Sequence, residues 1–139
     1  MSIKDSKYLI LDFIERINDC DIAGISELTT DDVLFVDSLR GSVRGKKEMQ
    51  QAWEKYFSMF PDYEISITHL RQKRDTVSIL GNARGTYAVK GKLYKKNSWN
   101  IRAAWKAVIR GNRIAEWRVY ADVGPIREIM AHYDNQDIR

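Results

Sequence analysis

Ile10, Phe13, Ile14 and Ile17 fall at helical spacing, so the pattern predicts an amphipathic helix over residues 4–19 that ends near Asn18. Asp21 stands where it would cap a second, short helix carrying Ile22, Ile25 and Leu28. Residues 33–37 are rich in β-formers and run into Ser38-Leu39-Arg40-Gly41, a strand leading into a turn. Period-two alternation sets the Asp37 carboxylate on the face shared with Val33 and Phe35. After Gly45, the residues Met49, Ala52, Trp53, Tyr56, Phe57 and Phe60 form one broad helical face, which Pro61 stops. Residues 64–70, 76–89, 98–109 and 113–122 then read as four long antiparallel strands. Arg110-Gly111-Asn112 is a tight turn between the last two, and residues 90–97 form an exposed connection between the middle pair. Pro125 opens a closing helix with Ile126, Ile129, Met130 and Tyr133 on one side. Helices first and long strands after is the order of an α+β fold, and without a repeat or composition break residues 1–139 form a single domain.

Composition narrows the chemistry. A chain of 139 residues can bury roughly two thirds of its extended surface without disulfides or metal. Its single cysteine, Cys20, has no partner for a disulfide, and two histidines with one cysteine cannot build a four-ligand zinc site. No metal and no cofactor is implied. The polar start and the lack of a long apolar run give the expectation of a soluble, unprocessed, cytoplasmic protein with no membrane partner. The net charge of +4 is uneven: residues 76–115 hold nine Lys or Arg and no acid, whereas residues 1–75 hold fourteen acids against eleven bases.

The segments Asn18-Asp19-Cys20-Asp21-Ile22-Ala23-Gly24-Ile25, Thr30-Asp31-Asp32-Val33-Leu34-Phe35-Val36-Asp37, the aromatic helix from Gly45 to Phe60-Pro61-Asp62, and Trp117-Arg118-Val119-Tyr120-Ala121-Asp122 occur in that order. Together they resemble the nuclear transport factor 2-like superfamily, in particular its SnoaL-like and ketosteroid-isomerase-like members. The resemblance implies a cone-shaped, curved antiparallel sheet wrapped around N-terminal helices and enclosing a pocket.

It also implies candidate chemistry. Asp37 matches the ketosteroid-isomerase base, and in SnoaL-type relatives an aspartate matching Asp122 points into the pocket as a base. By that analogy Arg118, Tyr120 and Asp122 share the inner face, leaving Trp117 and Val119 on the outer face, through which relatives pair as homodimers. A carboxylate walled by aromatic rings loses hydration, so its pKa rises and it can take a proton from carbon. Arg118 or Tyr120 would then stabilise the enolate. Phe13, Trp53, Tyr56, Phe57, Phe60, His69, Trp99 and Trp105 are the candidate lining of an apolar small-molecule site. Plainer roles compete: a turn-stabilising carboxylate at Asp37, an ion pair between Arg118 and Asp122, core packing for Tyr120 and for the aromatic stripe, and hydrogen-bonded packing for His69.

Departures from the relatives matter as well. The ketosteroid-isomerase oxyanion tyrosine corresponds to Phe13, and the strand over residues 98–109 holds no carboxylate for the second acid. Arg102-Ala103-Ala104 does not supply the Arg-x-Asp pair of limonene epoxide hydrolases. SnoaL-type cyclases ask chiefly for the late aspartate and an enclosed pocket.

Lys90, Lys92, Lys95 and Lys96 crowd one loop, and Arg102 and Lys106 fall opposite Trp99 and Trp105, where they would meet acids of a partner subunit. No basic helix face or RNA-binding signature points to nucleic acid. The sequence leaves three functions open: an isomerase or polyketide-cyclase-type enzyme acting beside a carbonyl, a non-catalytic ligand-binding protein, and a protein adapter of the same fold.

Overall fold

In a computed structural model, backbone is described for residues 3–137 and side chains for residues 5–134. Helix α1 (Ile3–Asn18) and the short α2 (Ile22–Glu27) precede β1 (Thr29–Asp37) and β2 (Gly41–Arg44). Helix α3 (Lys46–Met59) then leads into β3 (Glu64–Lys73), β4 (Thr76–Val89), β5 (Lys92–Arg110) and β6 (Arg113–Ala121), and α4 (Gly124–Asp137) closes the chain. The strands form one curved, unclosed sheet in the order β2-β1-β6-β5-β4-β3. All neighbours are antiparallel except β1 and β6, which run parallel, with Phe35 opposite Trp117.

The helices form where the pattern places them. Ile10, Phe13, Ile14 and Ile17 of α1 are buried against the concave side of the sheet. Asn18 ends that helix and accepts the Ile65 N–H at 2.8 Å while its amide donates to the Ile65 carbonyl at 3.1 Å, tying α1 to β3. Asp21 caps α2 through the Gly24 N–H at 3.0 Å. Helix α3 stops before Pro61, and Asp62 then accepts from both the N–H and the hydroxyl of Thr86 at 2.7 Å, which anchors the turn into β3 on the neighbouring strand.

Three local features differ from the sequence-based reading. Strand β5 begins at Lys92, so residues 92–97 belong to a strand and only Lys90 and Gly91, with φ of 52° and 75°, make the turn. This is the left-handed geometry of a short hairpin loop, and Gly111 and Asn112 repeat it between β5 and β6. In β3 the register slips between Ile67 and His69, because Thr68 is an extra residue. In β6 the register slips again, with Glu116 opposite Val108 but Ile114 opposite Ile109, so Ala115 is the extra residue.

Candidate functional site

The bulge at Ala115 decides which side of β6 faces inward. Because one residue is inserted, Ile114 and Trp117 both point into the cone and both are fully buried. The simple alternation from residue 113 to 122 is therefore broken, and the inner face carries Trp117 and Val119 rather than Arg118 and Tyr120. Tyr120 is 52% exposed on the convex face, and the Arg118 guanidinium donates to Glu116 at 3.3 Å instead of pairing with Asp122. Asp122 is exposed at the end of the strand, where its carboxylate accepts the Gly124 N–H at 3.0 Å and starts α4. Those three residues do not gather around Asp37. His69 is likewise exposed, turned outward by the bulge at Thr68, and its Nδ1 lies 3.0 Å from the Thr68 hydroxyl.

The concave interior is filled by rings. Phe13 meets Trp117 with centroids 4.8 Å apart, and Trp117 stacks on Trp105. Higher in the cone Trp53 stacks on Phe57 at 5.0 Å, Tyr56 meets Phe60 and Tyr63 edge-on, and Phe60 meets Trp99. Of the predicted lining residues, Phe13, Trp53, Phe57, Phe60 and Trp105 are thus packed into the core, as their plainer role would have it. Trp99 is buried but also borders a shallow groove with Asp62, Arg84, Thr86 and Ser98.

One cavity does meet a predicted carboxylate. About 190 Å³ of space lies between the β1–β2 hairpin and α3. Phe35, Asp37 and Arg40 line it from β1 and the following turn, Val43 from β2, and Glu48, Gln51, Ala52, Lys55 and Tyr56 from α3. The spacing 48, 51, 52, 55 is one face of a helix, which is why α3 presents a continuous wall. Asp37 is buried because it alternates with Val33 and Phe35 on the inward side of β1.

The electrostatics centre on Asp37. Burial pushes its carboxyl above the ordinary value, while the N–H groups of Leu39 and Arg40 and the charges of Arg40 and Arg127 pull the other way without cancelling it. The Leu39 N–H donates to Oδ1 at 3.1 Å, so the same side chain also shapes the turn. Arg127 of α4 braces that turn by donating to the carbonyls of Leu39 at 3.0 Å and Ser38 at 3.4 Å. Tyr56 and Tyr63 are buried with their rings edge-on at 4.9 Å, and burial together with the nearby Asp37 charge raises both phenols. They therefore stay protonated. A protonated phenol is a hydrogen-bond donor, and Tyr56 is the one that lines the cavity.

Sequence reasoning located Asp37 and Tyr56 and missed Arg40, Lys55, Tyr63 and Arg127. Arg40 stood in view in the turn after Asp37, but nothing local in the sequence says that this turn packs over the second half of α3. Among the described residues, no group of three or more His, Cys, Asp or Glu side chains is arranged to hold a metal ion, and no helix is long and apolar enough to cross a membrane.

Comparison with known proteins agrees with this architecture. A ketosteroid isomerase-like protein from Catenulispora acidiphila, solved in complex with trimethylamine, superposes with a TM-score of 0.75 at 17% identity, over 85% of this chain and 88% of that one. AclR, a putative hydroxylase from Streptomyces galilaeus, gives 0.74 at 16% identity over 94% and 98%. A putative SnoaL-like polyketide cyclase from Shewanella denitrificans gives 0.77 at 15% identity over 94% and 99%. These likenesses show the nuclear transport factor 2-like, ketosteroid isomerase-like fold. No curated protein matches the chain by sequence. The SnoaL-like domain family matches residues 10–117, and the chain belongs to that family.

Proposed function

We propose that this chain is an isomerase- or cyclase-type enzyme that removes a proton next to a carbonyl, with Asp37 as the base. The observation that carries the reading is a carboxylate buried at the wall of a cavity that a protonated phenol, Tyr56, also lines. An ionised Asp37 takes a proton from carbon, and the electron pair of the broken C–H bond moves onto the carbonyl oxygen. The Tyr56 O–H, which lines the cavity, donates to that oxygen as charge develops. Asp37 then returns its proton to another carbon, which completes an isomerisation. Alternatively the enolate carbon attacks a second carbonyl of the same molecule, which closes a ring, and the alkoxide formed takes the proton held by Asp37.

Phe35, Val43 and Ala52 supply the apolar walls for the small-molecule ligand. The Shewanella neighbour is a putative polyketide cyclase, and ring closure through an enolate is compatible with that. In this reading Asp122, Arg118 and Tyr120 are structural rather than catalytic.

The same convex face is proposed to pair two copies. Leu80, Ala104 and Tyr120 stand in one row across β4, β5 and β6, and Leu80 and Tyr120 are exposed. Trp117 takes no part, being buried inside the cone. Lys106 is engaged by Glu116 of its own chain at 3.4 Å and does not need a partner's acid.

The test is solvent exchange. A panel of small carbonyl compounds in heavy water, followed by proton NMR, should show protein-dependent deuterium uptake that Asp37→Asn removes while circular dichroism is unchanged. Uptake that survives Asp37→Asn would contradict the reading, and ligand binding with no exchange of any compound would favour the non-catalytic alternative.

A further inference from the structure

The cavity beside Asp37 has a charge polarity that its proposed chemistry does not by itself require. Arg40 and Lys55 reach it from two different elements, the β1–β2 turn and α3. Among the described residues the ion pairs engage Arg16, Lys46, Arg84 and Arg110, among others, but neither Arg40 nor Lys55. Arg40 is nonetheless held in place, with Nη1 3.5 Å from the sulfur of Met59. Met59 lies one helical turn beyond Lys55, so both cations gather at the C-terminal end of α3, where the helix carbonyls favour positive charge. The one other acid on this wall, Glu48, is in the first turn of α3, about 10 Å away along the helix at 1.5 Å per residue. Asp37 spends its own charge on backbone N–H groups and Arg127 as well as on Arg40. The end of the cavity next to Asp37 and Tyr56 is therefore cationic.

Size adds a second restriction. The volume of about 190 Å³ lies below the roughly 300–1,000 Å³ of sites for drug-sized ligands. A space of that size suits a short-chain acid.

Resting on the base assignment to Asp37, we propose that the substrate is a small oxo acid whose carboxylate lies between Arg40 and Lys55, with its acidic C–H at Asp37. A carboxylate there gains charge-assisted hydrogen bonds from two sides, the arginine in its fork geometry. The same cations offset the second negative charge that appears when the enolate forms.

The experiment compares 2-oxobutanoate with 2-oxobutanamide, which replaces the carboxylate by an uncharged carboxamide of similar size. Both are titrated into the protein by NMR, and deuterium exchange at the carbon next to the ketone is followed. The oxo acid should bind at least about tenfold more tightly than the amide, and the Arg40→Gln/Lys55→Gln double variant should lose that preference through the acid alone. Equal affinities, no binding of either probe, or a preference that survives the double variant would overturn the proposal. The base assignment fails separately: it falls if Asp37→Asn still exchanges the acid while the binding preference holds, and it stands if Asp37-dependent exchange of the amide persists without any preference for the acid.

Discussion

Phe13 and Trp117 meet ring to ring at the centre of the cone, 4.8 Å between centroids and tilted by 60°. One comes from the first helix and the other from the last strand, and both are fully buried. This contact closes the centre of the cone and leaves the cavity between the β1–β2 hairpin and α3 for the candidate chemistry.

The contact predicts an unequal response to two substitutions. Trp117→Ala leaves a large cavity and should cost about 3–5 kcal/mol. Trp117→Phe should cost only about 1–2 kcal/mol, because the ring contact survives in part. The indole N–H has no hydrogen-bond partner to lose. Urea unfolding of both variants checks this, and similar costs for the two would contradict it.

The raised pKa of Asp37 predicts a signed pH dependence. A carboxyl with a folded-state pKa above its unfolded value stabilises the fold fully below the unfolded value of about 3.8 and loses that contribution as pH rises through the folded one. Asp37→Asn keeps the oxygen that accepts from Leu39 but carries no charge to desolvate. The variant should therefore gain stability relative to the natural chain as pH rises from acid to neutral. Paired unfolding curves at the two ends of that range decide it, and a variant that loses ground with rising pH would contradict the burial argument.

Asp122 supplies the contrasting case. Its carboxylate accepts the Gly124 N–H just ahead of α4, so Asp122→Ala loses one exposed hydrogen bond and should cost about 1 kcal/mol or less in stability. Exchange activity, measured as for Asp37→Asn, should remain. Lost activity in a folded Asp122→Ala protein would return the base to the position that the SnoaL-type resemblance suggests.

The helices were legible because their signals are local. Ile10, Phe13, Ile14 and Ile17 carry a period that burial respects, and Asp21 and Pro61 are punctuation that works without tertiary context. The face of β6 was not legible. The analogy to SnoaL-type relatives put Arg118, Tyr120 and Asp122 inside, whereas Trp117 is the residue buried there, and the extra residue at Ala115 lets Ile114 share its face. A bulge at Thr68 turned His69 outward. The inward face of Asp37 was legible because the alternation along β1 is unbroken from Val33 onward, while its candidacy as a base came from the resemblance. Arg40 and Lys55 were missed because only the packing of a turn against a helix brings them together, and neither has a sequence pattern of its own.

The convex row predicts oligomeric behaviour. If Leu80 and Tyr120 form the centre of a two-fold interface, Tyr120→Glu and Leu80→Glu should each shift the protein from dimer to monomer by light scattering. Folding should be unaffected, since both side chains are exposed. A natural chain that is monomeric at high concentration would contradict the pairing.

The account depends above all on the state of one carboxyl group. A carbon-detected NMR titration of Asp37 from acid to neutral pH measures it directly. The account predicts a midpoint clearly above the ordinary value of 3.8, disappearing in Asp37→Asn and moving when a small oxo acid fills the cavity. A midpoint at or below 3.8, indifferent to ligand, would mean that Asp37 only shapes its turn and that the proposed base is absent.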